Sequence, residues 1–155
     1  MKRAIWLVGL LAALCLTACG GEEKTADLDV HEALAAMLEE APIEEAMELT
    51  EADMLNFYGI EADQMDDFAA ALCAVGIKAD ELVIVKAADE DSAAAVEALL
   101  QQRIENRKSE FQNYIPEEYE VLTHGTVARN GVYVRLIVSP QYEALEALYD
   151  GLLAG

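Results

Sequence analysis

Two histidines and three cysteines are the residues of this chain best suited to nucleophilic chemistry. A Cys–His nucleophile pair needs an imidazole within hydrogen-bond reach of the thiol. Cys73 lies in the Ala-rich run Phe68 to Val75, where a cysteine usually behaves as a small buried hydrophobic residue. His31 falls on the exposed side of a predicted helix. We therefore expect Cys73 to fill the core, and the sequence assigns no catalytic residue.

Carboxylates cluster at 63–67 and at 89–91, and hard cations such as Ca²⁺ prefer oxygen ligands. Neither cluster has the EF-hand spacing of acidic residues around a glycine with a distal glutamate. Asp89 and Asp91 instead suit the start of a helix, where negative charge is favourable. Two histidines without paired cysteines argue against zinc. The sequence predicts no metal and no cofactor, and it disfavours an enzyme, because phosphate-loop and nucleophile-elbow motifs are missing from it.

The composition narrows the class of protein. The 155 residues include 30 Asp+Glu and 10 Lys+Arg, which gives a formal net charge of −20, and 54 % are hydrophobic. That hydrophobic content excludes a disordered acidic tail, and the length fits one domain. Nucleic-acid binding depends on clustered basic residues, so no nucleic-acid partner is expected. The surplus of carboxylates is most simply a solvated surface.

The N-terminus predicts export. Met1 to Arg3 give a positive start, and the apolar run Ala4 to Leu16 is 13 residues long. A helix needs about 20 apolar residues to cross a bilayer, so this run is too short to span and fits a secretory signal. An ordinary cleavable signal and an uncleaved anchor are the alternatives to the interpretation that follows.

The run ends in Leu16-Thr17-Ala18-Cys19-Gly20, which resembles the bacterial lipobox. The resemblance implies cleavage after Ala18 and acyl chains on Cys19 that hold the protein in the outer leaflet of the cell membrane. The predicted division is a signal peptide over 1–18, lipidated Cys19 with a polar tether over 19–29, and one globular domain over 30–155. Loss of Lys2 and Arg3 leaves the mature chain at −22, which favours a domain that hangs off anionic lipid.

Apolar periodicity and end signals predict the elements of the domain. We expect a helix that begins after Asp29 and ends at Pro42, and a second helix from Thr50 to Gly59. Residues 65–75 fit either a helix or a strand. Further on, a strand over 81–86 precedes a long helix from Asp89 that stops near Tyr114, with one further turn from Pro116. With 65–75 as a strand, the order is α-α-β-β-α-β-β-α. This order indicates an α+β fold, a four-stranded antiparallel sheet with helices mainly on one face.

A β-hairpin is the clearest local signal. Asn130-Gly131 between alternating runs predicts a type I′ turn that pairs 129 with 132. One face then carries valines and Leu136 and belongs to the core. After the hairpin, Ser139 is the expected N-cap of a last helix with Pro140 as its first residue.

The other face of the hairpin carries the candidate binding residues His124, Thr126, Tyr133 and Arg135. If helices cover only the valine face, Tyr133 and Arg135 lie on an open sheet, where such residues often anchor binding. If helices cover both faces, they belong to the core. The first hypothesis is a non-enzymatic module that binds a protein or small ligand there, so that replacing Arg135 weakens binding without unfolding the domain. The alternative is a structural or accessory subunit of an envelope complex.

Three segments together resemble one known family: Leu49 to Ile60, Ala79 to Lys86, and Asn130 to Ser139. Their order and spacing are similar to those of small lipoproteins of Gram-positive anaerobes that carry a domain of unknown function. The resemblance covers about residues 28–153, and it implies a strand over 65–75. It implies no catalytic residue.

Overall fold

The computed structural model describes residues 27–155, and its first helix forms where the apolar stripe predicts one. Helix α1 spans Val30–Glu40. The carboxylate of Asp29 caps it by accepting hydrogen bonds from the backbone N–H groups of His31 and Glu32, at 2.9 and 3.0 Å. The predicted signal peptide and Cys19 lie outside the described residues.

The chain then forms a short edge strand and a two-part helix. Strand β1, Ala46–Glu48, was not predicted. Helix α2, Glu51–Asp53, begins at the expected capping box between Thr50 and Asp53 and continues as a π-helical turn, Met54–Tyr58. Gly59 ends it with φ +73°, a left-handed conformation that favours glycine, as predicted. A 3₁₀ turn, Ala62–Gln64, leads into the sheet.

The sequence leaves residues 65–75 open between a helix and a strand, and in the structure Met65–Cys73 form a strand. The remaining elements are β2 (Met65–Cys73), β3 (Glu81–Ala87), α3 (Glu90–Phe111), α4 (Pro116–Thr123), β4 (Thr126–Asn130), β5 (Tyr133–Val138) and α5 (Tyr142–Ala154). Strand β2 pairs with β1 on one side and β3 on the other. Its central residues Ala69, Ala70 and Ala71 are all buried. Alanine suits this strand, because the chain packs against neighbours on both faces.

The sheet has five antiparallel strands in the order β1-β2-β3-β5-β4. The α+β class is therefore confirmed, with one strand more than expected. The expectation that helices lie mainly on one face is wrong. Helices α3 and α4 contribute to a core on one face with Val83 and Val85, whereas α1 and α5 contribute to a second core on the other face with Leu82 and Ile84. A strand covered on both faces is apolar at successive positions, as β3 is.

The hairpin differs from its prediction in register and turn type. Asn130 pairs with Tyr133, and Gly131 and Val132 form the two-residue loop. Gly131 has φ +59°, whereas Val132 keeps an ordinary negative φ, which is the pattern of a type II′ turn. A β-branched valine resists the positive φ that a type I′ turn requires at this position. The predicted faces of β4 and β5 survive, because the register shifts by two residues: Arg129 lies opposite Val134 instead of Val132.

Two boundaries differ from their predictions: the start of the last helix and the start of the folded domain. Helix α5 begins at Tyr142 instead of Pro140, because Ser139 is buried at the end of β5 and accepts a hydrogen bond from the Gln141 N–H at 3.1 Å. At the other end, Leu28 belongs to the domain although it was assigned to the tether. Its side chain is buried, and its N–H donates to the Tyr133 hydroxyl at 3.1 Å. Over the described residues, the helices are too short or too polar to cross a bilayer.

A buried ion pair joins the sheet to its longest helix. Glu81 opens β3 and is 2 % exposed. Arg103 of α3 donates to both of its carboxylate oxygens, from Nε at 3.1 Å and from Nη2 at 3.2 Å. Two-point contacts of this kind fix orientation as well as distance. The pair therefore sets where α3 lies over the sheet.

Replacing one partner of this pair should be costly. Arg103→Met leaves the Glu81 carboxylate buried and uncompensated, and we expect the free energy of unfolding to fall by about 3–5 kcal/mol. The double variant Glu81→Leu with Arg103→Met should recover most of that loss, since no charge then remains buried. Urea denaturation of the three chains measures both effects. A loss below about 1 kcal/mol for Arg103→Met would contradict this account, because that is the size of a surface pair.

Candidate functional site

The four residues predicted to form a binding face do not form one surface. Tyr133 and Arg135 are 3 % and 5 % exposed, because α1 and α5 cover their side of the sheet. The expectation of an open face is therefore wrong. Thr126 is half-buried, and His124 is exposed at the end of α4. Of the four, Thr126 and Arg135 are in direct contact.

Tyr133 holds the start of the domain in place. Its hydroxyl accepts from the Leu28 N–H and donates to the Asp27 carboxylate, each at 3.1 Å. The Lys86 ammonium donates to the same carboxylate at 2.8 Å. Hydrogen bonds from Lys86 and Tyr133 lower the pKa of Asp27. The role of Tyr133 is thus to attach the N-terminal segment to the sheet.

Arg135 is the centre of a polar network inside the second core. Its Nη1 donates to Thr126 Oγ1 at 3.1 Å, and its Nη2 donates to Glu146 Oε1 at 3.2 Å. Thr126 Oγ1 also donates to Glu146, at 2.8 Å. The guanidinium lies 5.4 Å from the ring centre of Tyr149, and burial raises the pKa of that phenol. This network joins the hairpin to α5.

His124 follows the last residue of α4 and lines a cleft. Its imidazole stacks on the ring of Tyr142, with centroids 5.0 Å apart and planes 14° apart. The cleft beside this stack has a volume of about 280 Å³. Its other lining residues are Glu117, Glu120, Val121, Ser139 and Pro140. The site thus brings one side of α4 against the connection between β5 and α5.

Gly125 explains how α4 comes so close to β5. A Cβ atom at this position would lie 3.1 Å from the Leu122 carbonyl oxygen and 3.1 Å from Val138 Cγ2. Both distances are shorter than most real Cβ contacts, so a side chain here would push the helix end away from the strand. His124, immediately before Gly125, is carried to the cleft by this close approach.

Electrostatics in the cleft favour a positive charge. Glu117 and Glu120 are exposed along one side, and the carbonyl end of α4 adds partial negative charge. Burial raises the pKa of the Tyr142 phenol, with a further contribution from the neighbouring Glu143 charge. Tyr142 is therefore a neutral aromatic surface to which a cation is attracted. Val121 and Pro140 supply apolar contact beside it.

The other candidate residues have structural positions. Cys73 is buried in β2, and among the described residues no hydrogen bond joins it to a histidine. His31 is exposed, with its Nε2 3.2 Å from Asp67 Oδ1. Asp89 caps α3 by accepting from the Ser92 N–H at 2.7 Å, as the sequence predicts. Over residues 27–155, no three His, Cys, Asp or Glu side chains are placed to hold a metal ion.

Sequence reasoning found His124 and missed the rest of the cleft. Glu117 and Glu120 look like ordinary surface residues of a helix, and Tyr142 follows the apparent cap at Ser139. Their spacing carries no signal, because the cleft forms between segments that the β4–β5 hairpin separates. Only the packing of α4 against the start of α5 brings them together.

Comparison with known proteins places this domain in a family. The profile described as "Domain of unknown function (DUF4358)" matches residues 39–139, which is well over half of the chain. The chain belongs to this family. The predicted domain of unknown function is thereby confirmed. Searches of curated proteins and of solved structures each gave no match.

The family match covers the sheet and one helix layer of the domain, and it leaves out most of the other helix layer. It includes all five strands with α3 and α4, but it begins near the end of α1 and stops before α5. The second helix layer, α1 with α5, therefore lies almost wholly outside the matched residues. Residues that line the cleft lie on both sides of the C-terminal end of the match. Glu117, Glu120 and His124 fall within the match, and Tyr142 falls beyond it.

Arg135 should behave as a structural residue. Arg135→Ala removes both donors from the network with Thr126 and Glu146, and we expect a loss of about 2–3 kcal/mol in the free energy of unfolding. Arg129→Ala is the matched control, since its pair with Glu97 is exposed and contributes under about 1 kcal/mol. Urea denaturation compares the two. Equal small losses in the two variants would contradict the structural role of Arg135.

Proposed function

We propose that this protein is an exported lipoprotein, held at the outer leaflet of the bacterial cell membrane by acyl chains on Cys19. We further propose that its DUF4358 domain is a non-enzymatic module that binds a small organic cation in the cleft beside His124 and Tyr142. The observation that carries the binding function is the aromatic stack in a cleft bordered by two exposed glutamates.

The lipobox-like segment supports the anchored location. Leu16 to Gly20 follow an apolar run of signal-peptide length, and the polar residues from Gly20 onward can serve as a tether. One acyl chain gives only marginal membrane affinity, so firm attachment requires the two or three chains that this kind of processing adds. A tether also suits a domain with so large a negative charge, which anionic headgroups repel at short range.

The size and chemistry of the cleft support the class of ligand. Its volume of about 280 Å³ is at the lower end for small-molecule sites, which fits a short amine. An ammonium group can contact Glu117 and Glu120, while its carbon chain packs on Val121, Pro140 and the Tyr142 ring. Carboxylates give the charge interaction, and the aromatic face adds a cation–π attraction.

Lipid attachment is tested by metabolic labelling with an alkyne analogue of palmitate. We expect the full chain to incorporate the label and to remain with membranes, and Cys19→Ser to abolish both. Cys15→Ala and Cys73→Ala are the matched controls, because they remove the other two thiols without touching the acylated position. Label that persists in Cys19→Ser would overturn the anchoring proposal.

Ligand binding is tested by thermal unfolding of the full chain with 1,5-diaminopentane and with 1,5-pentanediol, which is similar in length but neutral. A ligand at 100 times its Kd adds about 2.7 kcal/mol, which shifts Tm by several degrees in a domain of this size. We expect a saturable shift with the diamine only. Glu117→Gln with Glu120→Gln should remove it, and Tyr142→Leu should weaken it about tenfold in Kd.

A charge-matched variant separates binding at the cleft from general screening of a −20 protein. Glu39→Gln with Glu40→Gln removes two exposed carboxylates at the end of α1, away from the cleft-lining residues. We expect it to keep the full shift with the diamine. An equal loss in the two double variants, or an equal shift with the diol, would contradict binding in the cleft.

A further inference from the structure

Strand β1 leaves one edge of the sheet open. Its residues Ala46, Met47 and Glu48 are all exposed, and among the described strands only β2 pairs with it. The Glu45 carbonyl accepts a hydrogen bond from the N–H of Ala74, just after β2, at 3.1 Å, and the Leu49 N–H donates to the Ala70 carbonyl of β2 at 2.9 Å. Because bonding alternates along an antiparallel strand, the backbone groups of Ala46 and Glu48 point away from the sheet. They are free to pair with an added strand.

Exposed apolar side chains accompany this open edge. Met47 lies opposite Leu72, which packs on the α3 side of the sheet, so Met47 is on that face. The π-helical turn that follows buries Met54 and Tyr58 and leaves Leu55 and Phe57 exposed, with Leu55 at 52 %. Turns of this type are rare and occur often at functional sites. We call β1 together with Leu55 and Phe57 the edge surface.

The exposed charge on the segment that forms the edge surface is negative. The Arg103 guanidinium lies 5.9 Å from the Phe57 ring centre, but it is paired with the buried Glu81. Residues 25–77 contain no Lys or Arg, and residues 44–61 carry six carboxylates. Five of these, Glu44, Glu45, Glu48, Glu51 and Glu61, are exposed. Such a field repels a second copy of the chain, and it attracts a basic partner at rates that fall with salt.

We propose that the edge surface is a docking site for an extended, basic segment of a partner protein. The segment adds a strand beside β1 by bonding to the backbone of Ala46 and Glu48. Its apolar side chains pack on Met47, Leu55 and Phe57, and its Lys or Arg side chains face the surrounding glutamates. Added strands obtain affinity from backbone bonds and specificity from alternate side chains. This surface is separate from the cleft.

The probe is a seven-residue peptide of alternating Lys and Val, labelled for fluorescence anisotropy and added to the full chain in detergent. We expect saturable binding that weakens with salt. The same peptide with Glu in place of Lys should not bind. N-methylation of alternate amides should weaken binding about tenfold in one of the two possible sets and leave it nearly unchanged in the other, since only one set faces β1.

Protein variants locate the binding. Leu55→Ser with Phe57→Ser should weaken it about tenfold, because both residues contribute apolar contact to the docked segment. Tyr114→Ser is the control, since it replaces an exposed aromatic residue outside the edge surface and should leave binding unchanged. Glu117→Gln with Glu120→Gln should also have no effect, so failure of the cleft proposal and failure of this one are distinguishable.

Three results would overturn the docking proposal. Equal binding of both N-methylated peptides would show attraction by charge alone. Equal losses in the edge variant and in its control would show unspecific apolar contact. Concentration-dependent dimerisation that Leu55→Ser with Phe57→Ser abolishes would assign the surface to a second copy of the chain instead.

Discussion

The buried Glu81–Arg103 pair is the contact on which the arrangement of this domain depends. Of the 30 carboxylates in the sequence, Glu81 and Glu118 are the two acidic residues buried within the described part, and each is held by a basic side chain. Arg103 fixes α3 over β3. Lys78 and the Ala79 N–H both donate to Glu118, at 2.9 Å, which fixes α4 against the loop before β3. The cleft is thus built on a frame set by two buried carboxylates.

Much of the fold could be predicted from local rules, and the rest could not for identifiable reasons. Asp29, Thr50 and Gly59 mark helix ends through hydrogen bonds and backbone angles that depend on neighbours a few residues away. The edge strand β1 has no such signal, because within residues 27–155 its three residues pair only with β2 and bury no side chain. The Ala-rich strand β2 is ambiguous for a related reason. Its conformation is decided by strands and helices that lie far away in sequence.

The residues of the candidate site are even harder to predict from local sequence than the fold. Tyr133 and Arg135 have the residue types of a binding surface, yet the α1–α5 layer covers them and uses their polar atoms for structure. Alternation along a strand reveals which residues share a face, but it does not reveal whether that face is covered. The family match includes little of the covering layer, so the covering helices come mainly from the two flanks. Those flanks also contribute Tyr142, which completes the cleft.

The proposed function requires a small organic cation to bind at the junction of α4 and α5, on a frame that is already in place. Amide NMR of the full chain in detergent, titrated with 1,5-diaminopentane, tests it most directly. We expect saturable shifts confined to residues 117–125 and 139–143, because a preformed site needs little rearrangement elsewhere. Shifts spread over the exposed carboxylates of residues 27–67, with none at His124 or Tyr142, would show only general ion attraction and would contradict the account.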